Sequence, residues 1–270
     1  MLKYKSMAKQ RLDLLLVARG LFQSRAQAQR AISAGLVLVN GQVIDKAGAQ
    51  IPSDAHIELK EKPRYVSQGG LKLERALHVF QIDVADKVCL DVGASTGGFT
   101  DCLLQHGAKR VYAVDVGKGQ LDWKLRADPR VVVLEGLNAR YLKPEQIGEP
   151  VDIATVDVSF ISLKLILPPL KEIVKPKGDL ICLVKPQFEA GREHVTRGGV
   201  VKDSSVHQRV LEELASFVQT QLELSVVNAT HSPIKGPAGN IEFLMHIRNE
   251  PGQSAPIDWA RLVEHAHKEL

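Results

Sequence analysis

The sequence predicts an α/β protein: a doubly wound, Rossmann-like parallel sheet preceded by a small α+β domain. Three observations lead there. Lys87–Asp115, KVCLDVGASTGGFTDCLLQHGAKRVYAVD, reads as strand, tight Gly-rich turn, helix and strand. Strands and helices keep alternating after it, and the first quarter of the chain has its own pattern of two short helices and a hairpin. At 270 residues the chain is long enough for one large domain or two unequal ones. It is 44% hydrophobic and 24% charged, with no apolar run near the roughly 20 residues of a membrane span. Met1–Gln10 lacks the apolar stretch of a signal peptide. Cys89, Cys102 and Cys182 have no paired spacing and fall in apolar segments. That predicts buried free thiols in a reducing cytoplasm and no metal site.

The net charge of +4 is unevenly placed. Residues 1–62 carry ten Lys/Arg against five Asp/Glu, whereas residues 63–270 carry twenty-five against twenty-six. Such a distribution is expected of a nucleic-acid-binding appendage on a near-neutral enzyme. A solvated basic module without a ligand is the alternative.

Within residues 1–62, Arg11–Arg19 places its apolar residues on one helical face and stops at Gly20. Ser24 opens a second helix, with Gln27 in capping-box spacing and Gly35 closing it. Val37, Val39, Asn40-Gly41 and Val43 form a hairpin signal, and Ile57 and Leu59 supply a last short strand. With R-L-D, S-R-x-x-A and V-x-V-N-G in these positions, Gln10 to about Lys60 resembles the RNA-binding domain named after ribosomal protein S4. The resemblance puts Arg11, Ser24, Arg25, Gln29 and Arg30 on an RNA-facing surface, with Lys3, Lys5 and Lys9 as phosphate contacts.

Residues 63–70 follow as a charged, Pro-broken linker to a helix over Leu71–Phe80 that carries Lys72. R-Y-V-S-x-G-G-x-K-L, beginning at Arg64, resembles the junction of TlyA-type proteins, which join an S4 domain to an FtsJ-like ribose methyltransferase. That family commonly has Arg where this chain has Gln68; Arg64 joins the candidate RNA contacts.

In Lys87–Asp115 the glycines fall at the carboxyl end of a strand, where open parallel sheets bind ligands, and where a Cβ would keep the backbone from a ligand. A dinucleotide site wants G-x-G-x-x-G, but here Ser95 takes the second glycine's place and Asp91 precedes Gly93. D-x-G-x-S-x-G-G is similar to the first motif of S-adenosylmethionine (SAM)-dependent methyltransferases. An ordinary βα turn is the alternative. The resemblance assigns Gly93, Ser95, Gly97 and Gly98 to the methionine end of SAM, Asp115 to its ribose and Asn138 to its adenine.

After Asp115 the pattern predicts a helix over 121–126 and strands over 131–134, 153–158 and 180–184, with a helix over 163–174 before the last of these. Gln187–Lys202 reads as a loop over the site. A helix over 206–220 and a closing strand pair, 224–227 and 241–247, complete residues 71–250 as a catalytic domain. Residues 251–270 form a helical tail, in which His265 and His267, like His246, read as surface or packing residues.

Lys72, Asp157, Lys185 and Glu242 stand at a helix start and at strand ends, which converge on one crevice in a doubly wound sheet. In the order K, D, K, E they resemble the tetrad of FtsJ-like 2′-O-methyltransferases. The chemistry suits the residue types. A ribose hydroxyl is a poor nucleophile while protonated, and a lysine made less basic by a neighbouring cation or by desolvation can take or share its proton. Lys185 is expected in that role, with Lys72 beside it and Asp157 and Glu242 orienting the two ammonium groups; Asp157 also falls within reach of SAM. Asp157-Val158-Ser159-Phe160 lacks the proline pair of amine methyltransferases, and Cys182 lies three residues short of Lys185 inside a strand, so ribose oxygen is favoured over base nitrogen or carbon. The expectation is a cytoplasmic SAM-dependent 2′-O-methyltransferase of ribosomal RNA, with cytidine the target that the resemblance suggests. A non-catalytic assembly factor on a degenerate fold and a membrane-active hemolysin are the alternatives.

Overall fold

The structure, a computed structural model, describes residues 9–270 apart from 23, 34, 61–63 and 253–254, and of Arg30 it describes the backbone alone. The expected phosphate contacts Lys3 and Lys5 lie outside the described residues, as does the side chain of Arg30. The chain divides after Arg64 into two compact units.

The first unit runs β1 (Lys9–Arg11), α1 (Leu12–Ala18), α2 (Arg25–Ser33), β2 (Val37–Val39), β3 (Gln42–Val43), β4 (Gln50–Pro52) and β5 (Ile57–Leu59). Leu12, Leu15 and Leu16 share one face of α1 and pack on Ala28 and Ile32 of α2 and on Val37 of β2. The β2–β3 hairpin turns at Asn40 (φ 51°) and Gly41 (φ 81°), the two left-handed residues that a tight two-residue hairpin demands. The pairing of β1 with β4 was not expected; three-residue strands are too short to display a period of two.

The second unit opens with α3 (Gly69–Phe80), β6 (Val88–Val92), α4 (Gly98–Gln105), β7 (Arg110–Asp115), α5 (Trp123–Arg126), β8 (Val131–Glu135), α6 (Pro144–Ile147) and β9 (Val151–Val156). It continues with α7 (Leu163–Ile173), β10 (Val174–Val184), α8 (Pro186–Glu189), α9 (Ser204–Thr220), β11 (Ser225–His231), β12 (Phe243–Arg248) and α10 (Trp259–Glu269). Seven strands form one sheet in the order β11-β12-β10-β9-β6-β7-β8, parallel from β10 to β8, with β12 antiparallel between β10 and β11.

The strands are apolar on both faces, as a sheet covered on both sides requires. Along β6, Val88, Leu90 and Val92 join the core beneath α7, α9 and α10, while Cys89 joins the core beneath α3 and α4. Along β10, Leu180, Cys182 and Val184 go to the first core and Ile181 and Leu183 to the second. Residues 65–70 are not a free connector, because Tyr65 is buried in the second core and its ring lies where a Cβ on Gly70 would stand. The stretch expected as a loop after Lys185 is partly helical, with α8 and a 3-10 turn at Arg192–His194. Pro186 explains this: at the first position of a helix it has no N–H to waste and its φ is already helical.

Candidate active site

Strand register gathers the four predicted side chains. Val184 of β10 lies opposite Phe243 of β12, so the next residue on β10, Lys185, and the preceding residue on β12, Glu242, leave the sheet side by side. Val92 of β6 lies opposite Val156 of β9, which sets Asp157 beside Gly93, with the Asp157 amide donating to the Val92 carbonyl at 2.9 Å. Lys72 comes in from the first turn of α3, whose Leu73, Ala76 and Leu77 are fixed in the second core.

The result is two lysine–carboxylate pairs. Lys72 Nζ donates to Glu242 Oε2 at 2.5 Å, and Lys185 Nζ lies 2.6 Å from Asp157 Oδ1 while donating to Ser159 Oγ at 2.9 Å. Lys72 is 7% exposed, Lys185 9% and Glu242 1%, so both ammonium groups and one carboxylate are largely out of water. Burial raises the Glu242 pKa above the usual carboxylate range, and Lys72, the nearest opposing influence, only partly offsets it. Lys185 and Asp157 act on Glu242 as well, so the four groups form one electrostatic cluster.

The cluster forms the floor of a cleft of about 560 Å³. Gly93, Ser95 and Gly98 line one wall, and Gln187, Phe188 and the 235–242 segment line the others. The glycines expected to admit a ligand have a nearer reason to be glycine. A Cβ on Gly93, where φ is +84°, would stand 2.4 Å from the Asp157 carbonyl oxygen, and one on Gly98 would stand 2.2 Å from Ser67 Oγ. Gly97 does not line the cleft; a Cβ there would strike Leu125 and Leu121. Asp115 sits behind the turn, where its carboxylate accepts from the Ser95 amide at 2.7 Å and the Gly117 amide at 2.6 Å. Asn138 lies outside the cleft lining, and its Oδ1 caps the next turn by accepting from the Arg140 amide at 3.0 Å. Asp91, under the turn, is fully buried and accepts from Thr100 and Thr155 hydroxyls at 2.7 and 3.0 Å. Burial pushes its carboxyl up to about 7.

Sequence reasoning missed four contributors to this site. Ser159 holds Lys185, and Gly236 leaves room for Glu242, since a Cβ there would lie 2.3 Å from Glu242 Oε1. Phe160 is 90% exposed at the cleft mouth with φ +63°, its ring 5.0 Å from that of Phe188. Asn240, 1% exposed, accepts from the Val201 amide and donates to the Gly199 carbonyl, fixing the segment that closes the cleft. Only Phe160 carried a readable signal, an aromatic three residues past a strand-end acid.

Comparison with known proteins gives this geometry a context. A family model described as FtsJ-like methyltransferase matches residues 65–249. The chain belongs to the FtsJ-like methyltransferase family. A second model, the S4 domain, matches residues 10–57, so the FtsJ-like unit follows an S4 domain, as in TlyA. A Bacillus subtilis (strain 168) protein described as a candidate rRNA methyltransferase, YqxC, is 52% identical over 270 residues, 97% of this chain and 95% of that protein. The 16S/23S rRNA (cytidine-2′-O)-methyltransferase TlyA of Mycobacterium tuberculosis (strain ATCC 25618 / H37Rv) is 46% identical over 242 residues, 89% of this chain and 90% of that protein. A solved structure described as a candidate hemolysin from Streptococcus thermophilus has a TM-score of 0.76 and 49% identity, covering 98% of each chain.

In the S4 domain, three of the expected RNA contacts converge on one buried acid. Asp13, fully buried, accepts from Arg11 at 3.0 and 3.1 Å, from Arg25 at 2.8 Å and from Gln29 at 2.8 Å. These hydrogen bonds, Arg11 first, hold the Asp13 carboxyl well below the usual carboxylate range. Ser24 Oγ caps α2 by accepting from the Gln27 amide at 3.3 Å. The two arginines therefore hold the fold together, yet their side chains stay 40% and 53% exposed, leaving N–H groups at the surface. Lys9 and Arg64 are exposed as well.

Proposed function

We propose that this protein transfers a methyl group from SAM to the 2′-hydroxyl of a ribose in ribosomal RNA, with cytidine the target nucleotide and the S4 domain docking the substrate. The observation that carries the proposal is the double lysine–carboxylate cluster at the floor of an open cleft, in a chain of the FtsJ-like family. The name of the Mycobacterium tuberculosis relative supports both the 2′-oxygen and cytidine.

The residues present suit SAM. The Gly93–Gly98 turn forms an open cleft wall with Ser95 and Thr96 exposed on it, and Asp115, at the end of the neighbouring strand, keeps a lone pair on each oxygen beyond its two backbone hydrogen bonds. Gln187 Oε1 is a buried acceptor without a hydrogen-bond partner in the cleft wall, matched to the amino groups that a nucleoside carries. SAM supplies a methyl already activated on a sulfonium. The protein's part is alignment and proton management. Lys185 Nζ, between Asp157 and Ser159, is the group placed to take the hydroxyl proton in its amine form as the oxygen–methyl bond forms and the carbon–sulfur bond breaks. Asp157 then stabilises the resulting ammonium, while Lys72, held by Glu242, steadies negative charge on the oxygen. Phe160 and Phe188 offer an apolar face to a base at the mouth, and base–aromatic stacking contributes about 1–3 kcal/mol.

Arg11, Arg25 and Lys9, with Arg30 and Arg64, are the proposed phosphate contacts of the S4 side. The test is transfer of labelled methyl from SAM to unmodified rRNA, offered bare and in ribosomal subunits, with Lys185→Ala alongside. Native protein labels the RNA, and the variant does not label it while binding SAM within a few fold of native. Undiminished labelling by the variant would overturn the role of Lys185.

A further inference from the structure

The proposed reaction makes no use of the carboxyl-terminal helix, yet α10 joins the end of β11 in a cluster of metal-binding side chains. We propose that His231, His265 and Glu269 form a site for one divalent transition-metal ion, zinc foremost, which ties α10 to the sheet. Nε2 of His231, Nε2 of His265 and the carboxylate of Glu269 lie within reach of one another, with one ligand atom from each residue and all of them within 4.8 Å. Atoms bound tetrahedrally at zinc–nitrogen and zinc–oxygen distances are separated by about 3.4 Å. His231 Nε2 lies 3.1 Å from Glu269 Oε2 and His265 Nε2 lies 2.8 Å from Glu269 Oε1, so each imidazole nitrogen is already near that separation from one oxygen of the shared carboxylate.

Local structure prepares each ligand. His265 and Glu269 stand one helical turn apart on α10 and so present their side chains on one face. His231 ends β11, 1% exposed, and its Nδ1 lies 2.9 Å from the Ser232 carbonyl oxygen. That contact puts the ring proton on Nδ1 and makes Nε2 the unprotonated nitrogen, the one that can coordinate, through the same outer hydrogen bond that orients metal-bound histidines. An adjoining cavity of about 470 Å³, lined in part by His231, His265 and Arg261, gives an ion a way in from solvent.

Arg75 completes the argument. Its Nη2 lies 2.9 Å from His231 Nε2 and 3.8 Å from Glu269, so a side-chain cation stands where the metal would. The guanidinium leaves one group unsatisfied there, because its Nε is buried with no hydrogen-bond partner. Arg75 is therefore a competitor that must swing aside, which its long, partly exposed side chain permits. Lys268, on the same cavity, is already held by Glu264 at 2.5 Å.

The experiment uses full-length protein without a polyhistidine tag, stripped of metal and titrated with zinc against a chromophoric chelator. One ion per chain is expected. His265→Ala and Glu269→Gln each remove a surface-exposed ligand, so folding is spared, and each should weaken binding by more than the roughly 10–100-fold that loss of an outer-shell partner costs. Arg75→Ala should tighten binding by about tenfold or more, because it takes a like charge from beside the ion. Cobalt in place of zinc should show the visible bands of a four-coordinate site, absent from His265→Ala. No bound ion, or equal binding by native protein and both ligand variants, would overturn the site and leave the cluster an ion-pair latch on α10.

Discussion

Lys72→Met tests the buried half of the cluster by isolating what Glu242 loses. In the native protein the Glu242 carboxylate, 1% exposed, has Lys72 as its hydrogen-bonding partner, and its pKa is raised by burial even with that partner present. Without Lys72 the carboxylate is a buried, uncompensated charge, and breaking such a pair costs about 3–5 kcal/mol. Protonation is the escape. Because loss of Lys72 raises the Glu242 pKa further, the cost should be largest at pH 8 and shrink as the pH falls through the shifted pKa. Adding Glu242→Gln removes the charge, so the double variant should recover most of the stability at pH 8 and show a coupling energy of about 2–3 kcal/mol. Neither variant should methylate RNA. The assay is urea denaturation of the four proteins at pH 6 and pH 8, with methyl transfer measured in parallel. A Lys72→Met cost below about 1 kcal/mol at pH 8 with no coupling would refute the reasoning, since it would mean that the pair is solvated as surface pairs are.

Three further outcomes follow from named contacts. Gly236→Ala places a methyl 2.3 Å from Glu242 Oε1, so the carboxylate must move off Lys72; turnover should fall at least about tenfold while circular dichroism shows the fold retained. Asp91 has a raised pKa in the folded protein. Its contribution to stability is therefore complete below the ordinary aspartate value and is lost as the pH rises towards about 7. Asp91→Asn should be relatively more stable than native at pH 8 than at pH 4.5, by up to about 1.4 kcal/mol for each unit of the pKa difference, and urea midpoints at the two pH values check it. Asp13 has a depressed pKa, so its stabilisation is present above about pH 4 and is lost as the pH falls further. Asp13→Ala should speed hydrogen exchange of the Leu12–Leu16 amides at pH 7 and leave β6 and α3 unchanged.

The readable parts of the fold are those whose signal is local. The β6 turn showed itself through adjacent glycines after a short apolar run, and the Asn40-Gly41 hairpin through two residues that tolerate positive φ. Asp157 and Lys185 could be gathered from distant positions because the carboxyl ends of parallel strands meet at one edge, which the start of the antiparallel β12, with Glu242, and the first turn of α3, with Lys72, also reach. The register that pairs Lys185 with Glu242 is tertiary information the residues do not display. The same limit hid how the S4 residues are held. Arg11, Arg25 and Gln29 look alike as a surface cluster, and only the folded α1–α2 pair brings all three onto Asp13. The tail hid its chemistry for the same reason, since His231 is thirty-four residues from His265 along the chain yet beside it in space.

The proposed reaction rests on where the methyl group goes. Labelled methyl transferred from SAM to unmodified rRNA, followed by digestion to nucleosides, answers that directly. A 2′-O-methylated nucleoside, and cytidine in particular, is the predicted product. Label on a base would keep the methyltransferase fold and overturn the roles given to Lys185 and Lys72, and no label with SAM still bound would favour a non-catalytic part in ribosome assembly.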